Sequence, residues 1–113
     1  MCNQMTLNQL LNETSTELNK IFGNKLENVI LYGSYARGDY DNESDIDILA
    51  LINMEKDDLY KYRRTVSKIA NEIDLKYDVL LSIKLQDKPT FVKYKNSLPF
   101  YQNIVREGVQ VGV

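Results

Sequence analysis

Between Val29 and Leu51 the chain carries two strand-like runs, and their junctions with the intervening loop leave the fold little freedom. Val29-Ile30-Leu31-Tyr32 is apolar and β-prone and stops at Gly33-Ser34; ten residues later Asp45-Ile46-Asp47-Ile48-Leu49-Ala50-Leu51 opens a second run. Alternate side chains of an extended backbone share a face, so Asp45 and Asp47 must project together from one side of that strand. Two crowded carboxylates repel each other unless a cation is bound between them. Gly33 lets the backbone turn tightly and approach a ligand, while Ser34 offers a hydroxyl and an amide to a phosphate oxygen. Gly-Ser alone reads as a turn after a strand. Asp-x-Asp alone reads as a solvated strand end, the more so beside Asp39, Asp41 and Glu43. The two together at this spacing are expected by chance on the order of once in a thousand chains of this length.

The flanking pattern predicts where helices cover these strands. Leu7, Leu10, Leu11, Leu18, Ile21 and Phe22 recur at three- and four-residue steps, as an amphipathic helix requires, and Gly23-Asn24 ends it. A strand is expected over Glu27–Tyr32. Ser34–Arg37 is expected to begin a short helix capped by the serine hydroxyl, followed by an acidic, turn-forming loop from Gly38 to Ser44. After the second strand, Asp45–Ile52, a helix starting at Asp57 or Asp58 presents Leu59, Tyr62, Val66, Ile69, Ala70 and Ile73. A third strand is expected over Tyr77–Leu85, then two short helices broken near Pro99, the second stopped by Gly108. This order predicts an α/β (α+β) chain, with helices packed on a small mixed sheet and a single domain over residues 1–113.

Composition narrows the chemistry. The chain has no histidine, so acid–base and metal work falls to carboxylates, which favours hard, oxygen-liganded Mg or Mn over zinc. A net charge of −2 argues against holding nucleic acid through general backbone electrostatics. No apolar run approaches the roughly 20 residues of a membrane span and no secretory leader is recognisable, so a cytoplasmic protein is expected. The single cysteine, Cys2, reads as incidental.

The pattern of Gly33-Ser34, ten residues, then Asp45-x-Asp47 resembles the active-site signature of the polymerase-beta-like nucleotidyltransferases. In that superfamily a nucleoside triphosphate and divalent ions sit between the two elements. Nucleotidyl transfer uses two metal ions about 3.5–4 Å apart, one activating the attacking hydroxyl and one neutralising the triphosphate. A third carboxylate is then wanted on a neighbouring strand. Asp78, within the apolar run Tyr77–Ile83, is assigned that role, holding the metal nearer the nucleophile and accepting its proton; Asp74 is the rival. The assigned site is Asp45, Asp47 and Asp78 for catalysis and metal, with Gly33, Ser34 and Arg37 for nucleotide phosphates. Arg37 reaches either a phosphate or the acidic loop. Arg63 and Arg64 read as a solvated helix face.

Across most of its length, including Pro99-Phe100-Tyr101-Gln102-Asn103-Ile104 and Glu107-Gly108-Val109, the chain resembles minimal nucleotidyltransferases (MNT) paired with a helical HEPN protein. The resemblance implies an antitoxin that uses Mg and ATP to transfer AMP to a tyrosine of a partner HEPN toxin. Larger relatives carry extra domains that grip the acceptor, so a partner protein or a homodimer face is expected to present it here. Phe91, Tyr94, Phe100 and Tyr101 are candidates for the contact surface, at least two of them being expected in the core. Two other readings compete: a non-catalytic module of the same fold that occludes its partner, and a nucleotidyltransferase acting on small molecules such as antibiotics. The retained pair of repelling carboxylates favours catalysis over occlusion.

Overall fold

The computed structural model describes residues 3–41 and 44–111; Cys2 and Glu43 lie outside them. The amphipathic segment forms α1 (Gln4–Phe22), capped at its start by the Asn3 side chain, which accepts from the Thr6 amide at 2.8 Å. Gly23, at φ 56°, ends it as expected. The expected first strand is β1 (Leu26–Tyr32), and Ser34–Arg37 forms the one-turn α2. The N-cap of α2 is Gly33 rather than Ser34, which sits inside the first turn, so the serine hydroxyl is not used as a cap. The central strand is β2 (Ile46–Ile52).

The long helix expected after β2 is divided. α3 (Lys56–Tyr60) and α4 (Arg63–Tyr77) are separated by a tight turn, in which the Lys61 amide donates to the Asp58 carbonyl and the Tyr62 amide to the Leu59 carbonyl. Tyr62 is drawn against Phe22 of α1, ring centroids 5.0 Å apart. The break thus serves a long-range contact. It is followed by β3 (Leu81–Asp87), α5 (Lys88–Tyr94), α6 (Pro99–Glu107) and the two-residue β4 (Val109–Gln110).

The sheet order is β3-β2-β1-β4, with β1 antiparallel to β2 and β4, and β2 parallel to β3. It is the small mixed sheet expected from the element order. β2, apolar on both sides, is central and buried on both faces. Ile46, Ile48, Ala50 and Ile52 meet α1 and α4 in the larger core. Leu49 and Leu51 meet Phe91 of α5 and Ile104 of α6 in the smaller one. Of the four aromatic residues singled out above, Phe91 is therefore core, Tyr94 and Tyr101 are half-buried, and Phe100 is 38% exposed.

β3 starts four residues later than its composition suggests. α4 continues through Tyr77, and its last turn is tied to α1 by Lys76, which pairs with Glu13 at 2.8 Å, a contact spanning 63 positions in sequence. Asp78 then caps the helix in the left-handed conformation at φ 54°, a geometry Asp tolerates better than most residues. Asp74 ties this junction down, its Oδ1 accepting from the Leu81 amide at 2.6 Å. Asp74→Ala removes a charged acceptor from a half-buried amide and should cost about 1–3 kcal/mol. That loss is readable as a lower urea midpoint and faster amide exchange at Leu81.

Candidate active site

The site is assembled at one end of the sheet, where β1 finishes and β2 begins. Tyr32 pairs with Asp47 across the antiparallel ladder, and Gly33 follows with φ 73°. A Cβ at Gly33 would lie 2.5 Å from Asp47 Oδ2. The glycine turn and the second aspartate are thus in direct contact, and no side chain fits between them. Ser34 is half-buried immediately beyond, at the start of α2. A single helical turn carries little macrodipole, so what this element offers an anion is the Ser34 amide and hydroxyl at its start.

The loop that carries Ser34 is pinned at several points. Gly38, at φ 82°, closes α2 by donating its amide to the Ser34 carbonyl at 2.9 Å. The rings of Tyr35 and Tyr40 stack at 4.1 Å, nearly parallel, and Tyr35 also packs on the larger core. Arg37 donates to Asp39 Oδ2 at 3.1 Å and lies 3.8 Å from a Glu107 oxygen. Of its two expected uses, pairing with the acidic loop is the one seen.

Asp45 is exposed and Asp47 half-buried, both on the face shared with Leu49 and Leu51. Burial raises the Asp47 carboxyl above its ordinary pKa; the charge of Asp45 raises it further, and that of Arg37 opposes the shift. Tyr32 is also raised, by burial and then by the charge of Asp47. Phe100 packs edge-on against the Tyr32 ring at 5.8 Å. Ser82 of β3 stands beside Asp47 on the other side, in the parallel register, with Lys84 two residues further along the same face.

Asp78 is exposed at the end of α4 instead of embedded in β3. Among the described residues no three carboxylates lie close enough to share one ion, so Asp78 is not gathered with Asp45 and Asp47. Its rival Asp74 is occupied by the Leu81 amide. Tyr32, Ser82 and Lys84 are the neighbours that sequence reading missed. They become visible once the strand register is known, because each is placed by its pairing with β2.

These residues suit a hard divalent cation. Two carboxylates share one face, and Asp47 is lifted first by burial and then by the charge of Asp45, a cost that a bound cation would offset. A raised folded-state pKa means that the native state binds more protons than the unfolded chain through the carboxylate range, so Asp47 lowers stability as pH rises through it. Asp47→Asn should therefore melt higher than the parent at pH 7, and the advantage should vanish at pH 3. The difference is readable by calorimetry without added metal, as a melting advantage of Asp47→Asn that shrinks as pH falls.

Comparison with known proteins agrees with this geometry. The profile of the nucleotidyltransferase domain family matches residues 11–109. Two proteins of Methanocaldococcus jannaschii, each named "putative protein adenylyltransferase", are similar along nearly their whole length. One is 36% identical, covering 95% of this chain and 100% of the relative; the other is 32% identical, covering 92% and 96%. Among solved structures, a Sulfolobus solfataricus protein described as a "putative nucleotidyltransferase" shares the fold, with TM-score 0.65, 24% identity and coverage of 95% and 80%. A toxin–antitoxin complex with AMP-PNP does so at TM-score 0.52, 20% identity and coverage of 88% and 70%. With a Gly-Ser turn set against paired aspartates and a family match that spans both, the chain belongs to the nucleotidyltransferase domain family.

Proposed function

We propose that this chain transfers AMP from ATP to a tyrosine hydroxyl of a helical partner toxin and thereby acts as an antitoxin. The observation that carries this reading is the contact between Gly33 and Asp47, because a triphosphate lying on the Gly33-Ser34 turn is then beside the Asp47 carboxylate, whose charge neighbour is Asp45. The naming of both M. jannaschii relatives as protein adenylyltransferases supports AMP and a protein acceptor. The toxin–antitoxin neighbour, crystallised with an ATP analogue, supports the partner and the nucleotide.

In this scheme Asp45 and Asp47 hold Mg. When bound, Mg offsets the charge of the triphosphate and makes the acceptor hydroxyl more acidic. Gly33 and Ser34 cradle phosphate oxygens through backbone amides and the serine hydroxyl. Arg37 exchanges its bond to Asp39 for a phosphate oxygen, a stronger partner in bidentate geometry. The acceptor oxygen attacks the α-phosphorus, the bond to the bridging oxygen breaks, pyrophosphate leaves, and the hydroxyl proton passes to a site carboxylate or to water. Asp45 and Asp47 would hold the metal in this scheme, and Asp78, expected from sequence as a third ligand, serves as the cap of α4. Asp78→Gly separates the two uses: as a cap alone, it should keep full activity.

The reading is tested by co-expressing the chain with its partner and mapping the partner by mass spectrometry. One AMP or more on a tyrosine, absent when the chain carries Asp45→Asn/Asp47→Asn, is the expected result. A partner that is neutralised yet unmodified would instead favour occlusion.

A further inference from the structure

β3 is the open edge of the sheet, and a groove of about 420 Å³ runs over it between α3 and α4 on one side and α5 and α6 on the other. None of the proposed catalytic residues lines it. The Ile46 amide donates to the Leu80 carbonyl at 2.8 Å, and residues of a parallel strand bond alternately to either side. Leu80, Ser82, Lys84 and Gln86 therefore turn their backbone groups toward β2. Leu81, Ile83 and Leu85 turn theirs outward, consistent with the Leu81 amide being taken by Asp74. Beyond Leu81, the backbone N–H and C=O of Ile83 and Leu85 face the groove.

The rim is basic although the chain as a whole carries −2. Lys56, Arg63 and Lys84 line the groove, all exposed, and among the described residues none of them has an ion-pair partner. Two are instead laid over aromatic rings: Arg63 4.3 Å from the centroid of Tyr60, and Lys84 5.2 Å from that of Phe100. The floor is ordered by a buried polar chain in which Tyr101 donates to Gln86 and Gln86 to Asp87, both of the latter 5% exposed. Cations held in place without counter-charges beside unpaired strand backbone call for a ligand that offers both carboxylates and a peptide backbone.

We propose that this groove binds an extended acidic segment of a partner protein, which adds to β3 as a further strand. The proposal rests on the reading that the chain acts on a partner protein, and it gives that partner a docking surface separate from Asp45 and Asp47. Strand addition supplies affinity through the main chain and specificity through alternate side chains, here Glu or Asp set against the basic rim. A second copy of this chain is a poor occupant, because edge-to-edge pairing would bring two basic rims together. Lys84 on an edge strand also discourages self-pairing.

Fluorescence anisotropy tests this with a labelled ten-residue peptide alternating Glu and Val, the same peptide with alternate backbone amides N-methylated, and a ten-nucleotide single-stranded RNA. The parent should bind the first peptide, more weakly as salt rises from 50 to 300 mM. It should bind the N-methylated peptide at least tenfold more weakly, and Arg63→Glu/Lys84→Glu should weaken the first peptide by the same factor. Asp45→Asn/Asp47→Asn should bind the first peptide like the parent even if no nucleotide transfer is ever found. No binding by the parent, equal binding of both peptides, or equal binding by parent and Arg63→Glu/Lys84→Glu would overturn the proposal. Tighter binding of the RNA than of the peptide, or a dimer in sedimentation abolished by Arg63→Glu/Lys84→Glu, would also overturn it.

Discussion

Asp45→Asn/Asp47→Asn is expected to lose at least about a thousandfold in nucleotide transfer while remaining folded. The pair supplies the carboxylate oxygens proposed to hold the metal, and amide oxygens carry no charge with which to replace them. Electrostatic stabilisation by a single preorganised group is commonly about 10²–10³ in rate, and two are removed here. The substitution should not damage the fold, because Asp45 is exposed and Asp47 sits in the structure at an electrostatic cost. The same variant gives a readout without activity: Mg should raise the melting temperature of the parent and leave the variant unmoved, since only a state that binds the ion is stabilised by it. An equal Mg response in both proteins would place the ion elsewhere.

Gly33→Ala is expected to lose stability and activity together. The backbone conformation at Gly33, φ 73° and ψ −155°, is one that residues with a side chain adopt at about 1–3 kcal/mol. The new methyl would also meet the Asp47 carboxylate. A carboxylate pushed aside by about 1 Å costs on the order of a hundredfold in rate, and the backbone strain alone lowers the melting temperature by roughly 5–15 °C. Gly38→Ala is the control. Its φ of 82° carries a backbone cost too, but a Cβ there meets nothing within 4 Å. Its stability should fall while transfer by the folded fraction persists. Equal loss of activity in the two variants would mean that the loop's shape, rather than the contact with Asp47, sets the rate.

How much of this was legible in sequence depended on whether the deciding contacts were local. α1 and its glycine stop, β1, β2 and the helix opened by Pro99 follow from spacing and from residues that cap or break, and the ends of β1 and β2 emerged within one residue. The third strand did not. Tyr77-Asp78-Val79-Leu80 has strand-like composition, but Lys76 is held by Glu13, a partner on another helix, and the helix runs on to Tyr77. The break between α3 and α4 has neither glycine nor proline to announce it and follows the packing of Tyr62 on Phe22. For the candidate site, the turn at Gly33-Ser34 and the shared face of Asp45 and Asp47 could be read because a turn and a two-residue period fix that geometry. Tyr32 and Ser82 could not, because their place beside Asp47 is a matter of strand register. Asp78 was misplaced for the same reason as β3: its neighbours suggested a strand, and the structure makes it a helix cap.

The most direct test of the account is to supply the chain and its partner with Mg and ATP labelled at either the α- or the γ-phosphate, beside the Asp45→Asn/Asp47→Asn variant. The account predicts that α-label enters the partner protein only with the parent and that γ-label enters no protein and is released as pyrophosphate. Transfer of γ-label, or α-label transfer that survives in the variant, would contradict it.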